Sequence, residues 1–215
     1  SKWIPVTSAE VDITIGTVTA GIGYDVFAYL SSGVLAAEIL AWSSATARTT
    51  DVTLQDGRRC KSGDKTRRYV GSFYTTSTTQ TEASVTKCFV WNMHNRHPRH
   101  LQRTSSAAHN YNTATIRPWN NDAPNNQIEI FVGLVEDAMQ IELMTQLTRA
   151  STDGAPRIRF GVNSTTTEYG LWGLAVSLIT GRITSGATVS FFPNLGYSYY
   201  VITEFTTAGT APGTS

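Results

Sequence analysis

A chain of 215 residues with 17 Lys+Arg, 16 Asp+Glu and a net charge of +1 is long enough to bury a sizeable core as one large β domain or two small ones. Charged residues make up only 15%, against roughly 25% in ordinary soluble domains, and with a pI near 7.8 the balance argues against a dedicated nucleic-acid binder. No apolar run reaches the roughly 18–20 residues of a membrane-spanning helix. Residues 1–5 lack the regions of a signal peptide, and a start without Met reads as a processed chain or a piece of a longer one.

Period-two patterns dominate from the start. In residues 11–18 the apolar Val11, Ile13 and Ile15 alternate with polar or small neighbours, which predicts a half-buried strand. Gly21-Ile22-Gly23 interrupts it, and residues 24–30 read as a second strand. Ser31-Ser32-Gly33 reads as a hairpin turn into a strand over 34–42, because glycine supplies the positive φ of a short loop. Asp56-Gly57 and Ser62-Gly63-Asp64 mark further turns. Residues 68–75 form a strand, 76–82 a polar loop and 85–93 the strand's partner, with Pro98 ending any ladder. The Asn-rich stretch 109–126, broken by Pro118 and Pro124, predicts a long irregular connection or an interrupted strand. Residues 127–135 alternate again. Residues 139–147 fit a strand or a short helix, and strand is favoured because no caps bracket them. Strands over 157–162, 170–179, 187–192 and 197–206 complete the set, separated by turns at Asp153-Gly154, Gly181, Ser185-Gly186 and Asn194-Leu195-Gly196.

Strands that recur every ten to twenty residues, with no defensible helix, predict an all-β protein. The expected architecture is an antiparallel, jelly-roll-like β-sandwich in one domain over 1–206, followed by a flexible C-terminal tail over 207–215. Thr-rich, charge-poor β surfaces are poorly protected against self-association, so a homo-oligomer is expected. Cys60 and Cys88 leave open one disulfide or two buried thiols, the second being favoured.

Positive charge is concentrated rather than spread. Residues 58–103 hold ten of the 17 Lys+Arg and three of the four histidines, but only two acids, Asp64 and Glu82. Arginine suits interfaces because its planar fork pairs with carboxylates while its stem covers apolar surface. Arg67, Arg68, Arg96, Arg99 and Arg103 are therefore the candidate interface residues, with Asp51, Asp56, Glu129, Glu136, Asp137 and Glu142 as acids able to meet the basic segment within the chain or across a subunit boundary. His94, His97 and His100 are spaced by three, yet Pro98 breaks a helix there and the interleaved arginines repel a cation, so no metal is expected. No Gly-x-Ser-x-Gly elbow, phosphate-cradling loop or flanking carboxylate pair is legible, and no catalytic residue or cofactor is assigned. A carbohydrate contact is the other reading. Tyr111, Trp119, Asn120 and Asp122, with Asn121 between them, supply aromatic faces and hydroxyl-binding groups in one loop.

The run Lys61-Ser62-Gly63-Asp64-Lys65-Thr66-Arg67-Arg68-Tyr69-Val70-Gly71-Ser72-Phe73 resembles a pattern of structural proteins of tailed bacteriophages. Thr81-Glu82, the run from Lys87 to Arg96 (KCFVWNMHNR), Tyr24-Asp25-Val26-Phe27-Ala28-Tyr29 and Ala41-Trp42-Ser43 are similar to other parts of that pattern, which covers roughly residues 12–137. Met93-His94 stands where the pattern has an aromatic pair, and Cys88 where it has a basic residue. The resemblance implies a non-enzymatic β-sandwich module located in the virion and assembled in the host bacterial cytoplasm. Its implied partners are other virion proteins, capsid or tail, and host surface polysaccharide, with no nucleic acid or membrane. Trimeric packing is the expectation taken from the symmetry common among such appendages, and the residues themselves do not show it. The implied place is a tail-fibre or head-fibre appendage contributing to assembly and host attachment. Capsid decoration is the alternative, and a carbohydrate-binding or depolymerase module the second alternative.

Overall fold

The computed structural model describes residues 5–149, 156–169, 174–175, 181–206 and 212–213. The chain is an all-β sandwich. Its first sheet contains β1 (Gly23–Ser31), β2 (Val34–Ala41), β3 (Val52–Gln55), β4 (Arg58–Lys61) and β5 (Asp64–Tyr74), in the spatial order β2-β1-β5-β4-β3. The hairpin from β1 to β2 closes through Ser32 (φ 51°) and Gly33 (φ 84°), two left-handed residues whose turn matches the strand twist. Asp56 (φ 49°) and Gly57 (φ 76°) do the same between β3 and β4.

The predicted partner strand over 85–93 is split by its own central residue. β6 (Lys87–Cys88) pairs in parallel with a strand of the second sheet, β7 (Val90–Asn92) pairs antiparallel with β5, and Phe89 lies between them, 1% exposed. The Phe89 N–H donates to the Glu82 carbonyl, and its own carbonyl accepts from Tyr74 N–H. The chain thus steps from one layer to the other at a buried aromatic.

β8 (Arg117–Pro118) leads into a 3-10 turn at Trp119–Asn121. The second sheet adds β9 (Gln127–Val132), and β10 (Met139–Arg149) belongs to a separate ribbon. β11 (Arg157–Val162), β12 (Leu174–Ala175), β13 (Gly181–Phe191), β14 (Gly196–Phe205) and β15 (Pro212–Gly213) follow. The second sheet runs β12-β11-β14-β9-β6, with β8 also on β14; the third runs β13-β10-β15.

Alternation along β9 and β14 sorts their side chains onto two faces. Phe131 and Tyr197 meet Trp42, Tyr74 and Phe89 of the first half, with Tyr74–Tyr197 ring centroids 4.8 Å apart and Trp42–Phe131 4.9 Å apart. On the opposite face Ile130, Val132, Phe160 and Tyr200 pack against Met139, Ile141, Val189 and Phe191 of the β10–β13 ribbon. The second sheet is therefore the middle of three layers.

Several expectations are corrected. Residues 11–18 form no strand: Val11 and Ile13 are 37% and 39% exposed, and only Ile15 and Val18 reach the cluster of Tyr24, Val26 and Phe73. Alternation there has no neighbouring ladder to join. Gly181 and Ser185-Gly186 are not turns but lie within β13, where Gly186 opposes Met144 and Ser185 opposes Thr145. The surrounding β-branched residues prevail over the turn signal. Residues 139–147 are strand, within β10. Of the strand expected over 170–179 only residues 174–175 are described, as β12, and the Asp153-Gly154 turn lies outside the described residues. Of the expected tail, Pro212–Gly213 pair with Thr148 and Arg149, and the rest lies outside the described residues. Cys60 is a buried free thiol and Cys88 a half-buried one.

Candidate functional site

The basic segment separates into cations that are already neutralised and cations that are not. Arg67 Nε donates to Glu38 Oε2 at 2.7 Å and its guanidinium lies 3.7 Å from the Tyr29 ring centroid, while Lys61 Nζ reaches Glu38 Oε1 at 2.7 Å. Arg59 meets Glu136 at 2.6 Å. Arg96 meets Glu136 and, at 3.2 Å, Asp137, and stacks 4.9 Å from the Trp91 ring. Hydrogen bonds from these cations hold both carboxyls below the ordinary range, from Lys61 and then Arg67 at Glu38, and from Arg96 and then Arg59 at Glu136. Lys65 pairs with Asp56 at 3.4 Å, Lys87 with Glu82 and Glu129, and Arg103 donates to the Pro124 carbonyl.

Arg58, Arg68 and Arg99 have no carboxylate partner among the described residues. Arg58 and Arg68 line one recess of about 380 Å³ with Arg59, Met93, His94, the flank of Tyr69 and Glu136, the carboxylate that Arg59 and Arg96 already hold. β4 and β5 carry the two arginines, and the loop after β7 brings His94 across; Asn92 Oδ1 accepts the His94 N–H at 2.8 Å and fixes that loop. Partial burial lowers the pKa of His94, and the adjacent Arg68, Arg96 and Arg58 charges add to the effect. The recess thus carries three guanidinium groups against one carboxylate, and Arg58 and Arg68 are the two left without a partner. It is suited to a carboxylate, phosphate or sulfate brought from outside. Of the five arginines expected at an interface, Arg68 lies in this recess and Arg99 is unpaired elsewhere. Arg67, Arg96 and Arg103 are committed within the chain.

The loop expected to contact sugar is organised around a buried acid. Glu204 is fully buried; its carboxylate accepts from Arg117 Nε at 2.8 Å and from the Asn120 backbone N–H at 3.1 Å, and lies 2.6 Å from His109 Nε2. Arg117 stacks 3.8 Å from the Tyr111 ring centroid, and His109 sits edge-on to Trp119. Tyr111 and Trp119 are 7% and 6% exposed, so their faces are spent on packing rather than offered to a ring in solvent. Trp119 borders a crevice with Arg103, Leu143 and Ile202. Asp122 accepts from Asn125, and Asn120 is exposed with φ 53°. Of the residues expected to contact sugar, Asn120 and its neighbour Asn121 are exposed and Asp122 is half-buried.

A second buried acid was not anticipated. Asp25 accepts from Arg48 at 2.8 and 3.0 Å and from Ser72 Oγ at 2.6 Å. Arg48 also donates to the Tyr69 hydroxyl at 3.3 Å and to the Gly133 carbonyl, and lies 4.5 Å from the Trp42 ring centroid. A Cβ on Gly133 would strike Tyr69, Ser72 and Trp91, so glycine is what lets this backbone approach. The clasp ties the first sheet to the turn after β9.

No family model matches the sequence, and neither the curated proteins nor the solved structures contain a match to it.

Proposed function

We propose that this chain is a non-enzymatic structural module of a tailed-phage particle, carried on an exposed tail or head fibre, where it serves assembly and contact with the host surface. The observation that carries the reading is the recess in which Arg58 and Arg68 stand beside His94 with no carboxylate of their own, its one acid, Glu136, being held by Arg59 and Arg96, on a scaffold whose other basic groups in that segment are largely committed to partners. Such a site gives a rigid module one place to engage an acidic group, on a bacterial surface polysaccharide or on a neighbouring virion protein. The resemblance of the runs around Arg67-Arg68 and Trp91-Asn92 to phage structural proteins supports the particle context. Capsid decoration is the second reading. It is favoured by exposed apolar side chains spread over the surface, including Val34, Leu54, Val85 and Phe192 at 64–71% exposure, which suit cementing between subunits.

The test is to label this polypeptide on intact particles and image them. A few copies at a tail tip or at vertices support the appendage reading, and a repeated lattice position supports decoration. Particles that carry no label at all refute both. Within the appendage reading, joint Arg58→Ser and Arg68→Ser substitution is expected to weaken adhesion to the host while leaving folding intact.

A further inference from the structure

β2 is an edge strand of eight residues, Val34–Ala41, paired with β1 and with no strand on its outer side among the described residues. Natural edge strands are blunted by lysine, proline, bulges or short length. β2 has none of these: its sequence VLAAEILA is apolar but for Glu38, and that carboxylate is held by Lys61 and Arg67 of the same chain. The β1–β2 register is unbroken from Tyr24↔Ala41 to Ser31↔Val34.

We propose that this edge pairs antiparallel with β2 of a second copy about a two-fold axis at Ala37, joining two six-stranded sheets into one. The two-residue turn makes Ser31↔Val34 a hydrogen-bonded pair, so Val34, Ala36, Glu38 and Leu40 direct their backbone groups at β1. Trp42 N–H donating to the Gly23 carbonyl at 2.8 Å continues that parity. Leu35, Ala37, Ile39 and Ala41 therefore present their N–H and C=O groups outward. Opposed residues in an antiparallel ladder must share this parity. Two central registers satisfy it under two-fold symmetry, one centred on Ala37 and one on Glu38. Centring on Glu38 sets two carboxylates directly opposite at the closer, non-hydrogen-bonded spacing, which is repulsive. Centring on Ala37 sets Ala37 against its own copy, Leu35 against Ile39, Val34 against Leu40 and Glu38 against Ala36. The face of Leu35, Ala37 and Ile39 then matches apolar with apolar; on the other Val34 meets Leu40, while each Glu38, opposite Ala36, keeps its own two cations. The strand is complementary to itself in that register, which is why a second copy, and not an unrelated strand, is the occupant.

This interface deepens the assembly reading and rests on it only in that copies of the chain meet. It is measured on the purified protein, so its failure leaves the particle location untouched, and the reverse holds too. Sedimentation equilibrium over a wide concentration range is expected to show a reversible dimer. Hydrogen exchange should slow at the amides of Leu35, Ala37 and Ile39 as the dimer forms. Ala37→Lys places two introduced ammonium groups against each other at the axis and is expected to raise the dimer dissociation constant about tenfold or more, with the monomer's unfolding midpoint unchanged. Ala37→Pro removes an outward N–H that β1 does not use and should also abolish pairing. A chain that stays monomeric with those three amides exchanging freely overturns the proposal. So does an oligomer indifferent to both substitutions, as would arise if a different surface associates.

Discussion

Replacing Arg48 with methionine keeps a stem of similar length against Trp42 and removes only the guanidinium. In the wild-type protein the two side chains of the ion pair are 6% and 2% exposed, for Arg48 and Asp25 respectively. The substitution deletes two hydrogen bonds to Asp25, one to the Tyr69 hydroxyl and one to the Gly133 carbonyl. Asp25 is left buried, with Ser72 Oγ as its remaining side-chain donor. Breaking a buried pair on one side costs about 3–5 kcal/mol, because the other charge stays uncompensated. For a chain of this size each kcal/mol corresponds to roughly 2–4 °C in Tm, so a fall on the order of 6–20 °C is expected. Urea titration followed by tryptophan fluorescence reads the effect directly, since Trp42 lies under the lost group. Asp25→Leu in the Arg48→Met background removes the stranded carboxylate and should recover much of the loss, with a coupling of about 2 kcal/mol or more between the positions. A single-variant loss below about 1 kcal/mol, or a double variant equal to the sum of the singles, would refute the view that this clasp holds the two layers together.

Glu136 and Glu38 titrate lower in the folded chain than in the unfolded one, so their contribution is present above the unfolded carboxylate pKa of about 4.3 and is lost as pH falls through the folded values. Glu136→Gln should therefore be less stable than wild type at pH 7, and the two urea midpoints should converge as pH falls below the ordinary carboxylate range; a gap that stays constant as the solution is acidified contradicts the assignment. Trp119→Ala empties a core position shared with Leu143, Leu147 and Ile158 and should cost about 3–5 kcal/mol by the same titration. A stable Trp119→Ala protein that loses only glycan binding would instead restore the sugar-contact reading of that loop.

Strands and tight turns were legible because their signals are local. Alternation in 24–30 and 127–135 and the pairs Ser32-Gly33 and Asp56-Gly57 each carry their own geometry, and the structure has strands and left-handed turns at those places. Residues 11–18 carry the same alternation but have no ladder to join, and period two cannot report a missing neighbour. The split at Phe89 escaped for a related reason, since which sheet a short strand joins is decided by distant partners. In the site, the concentration of arginine was visible but its disposition was not, because Glu38 and Glu136 lie 29 and 40 residues from Arg67 and Arg96. The two buried acids did leave a trace. Asp25 interrupts an apolar strand, as Glu204 does in VITEF, and a carboxylate in such a setting demands a cation from elsewhere in the chain.

The crossing at Phe89 has a mechanical consequence. Two layers held only by interleaved rings could slip past each other under lateral load, one contact at a time. Here a single covalent thread is stitched into both layers within six residues, between Lys87 of β6 and Asn92 of β7. Any sliding must stretch that thread or first tear out one of the two short ladders that anchor it. Shear along the seam is therefore carried into the backbone ladders of both layers as well as into the rings, and the seam holds until one of those ladders gives way.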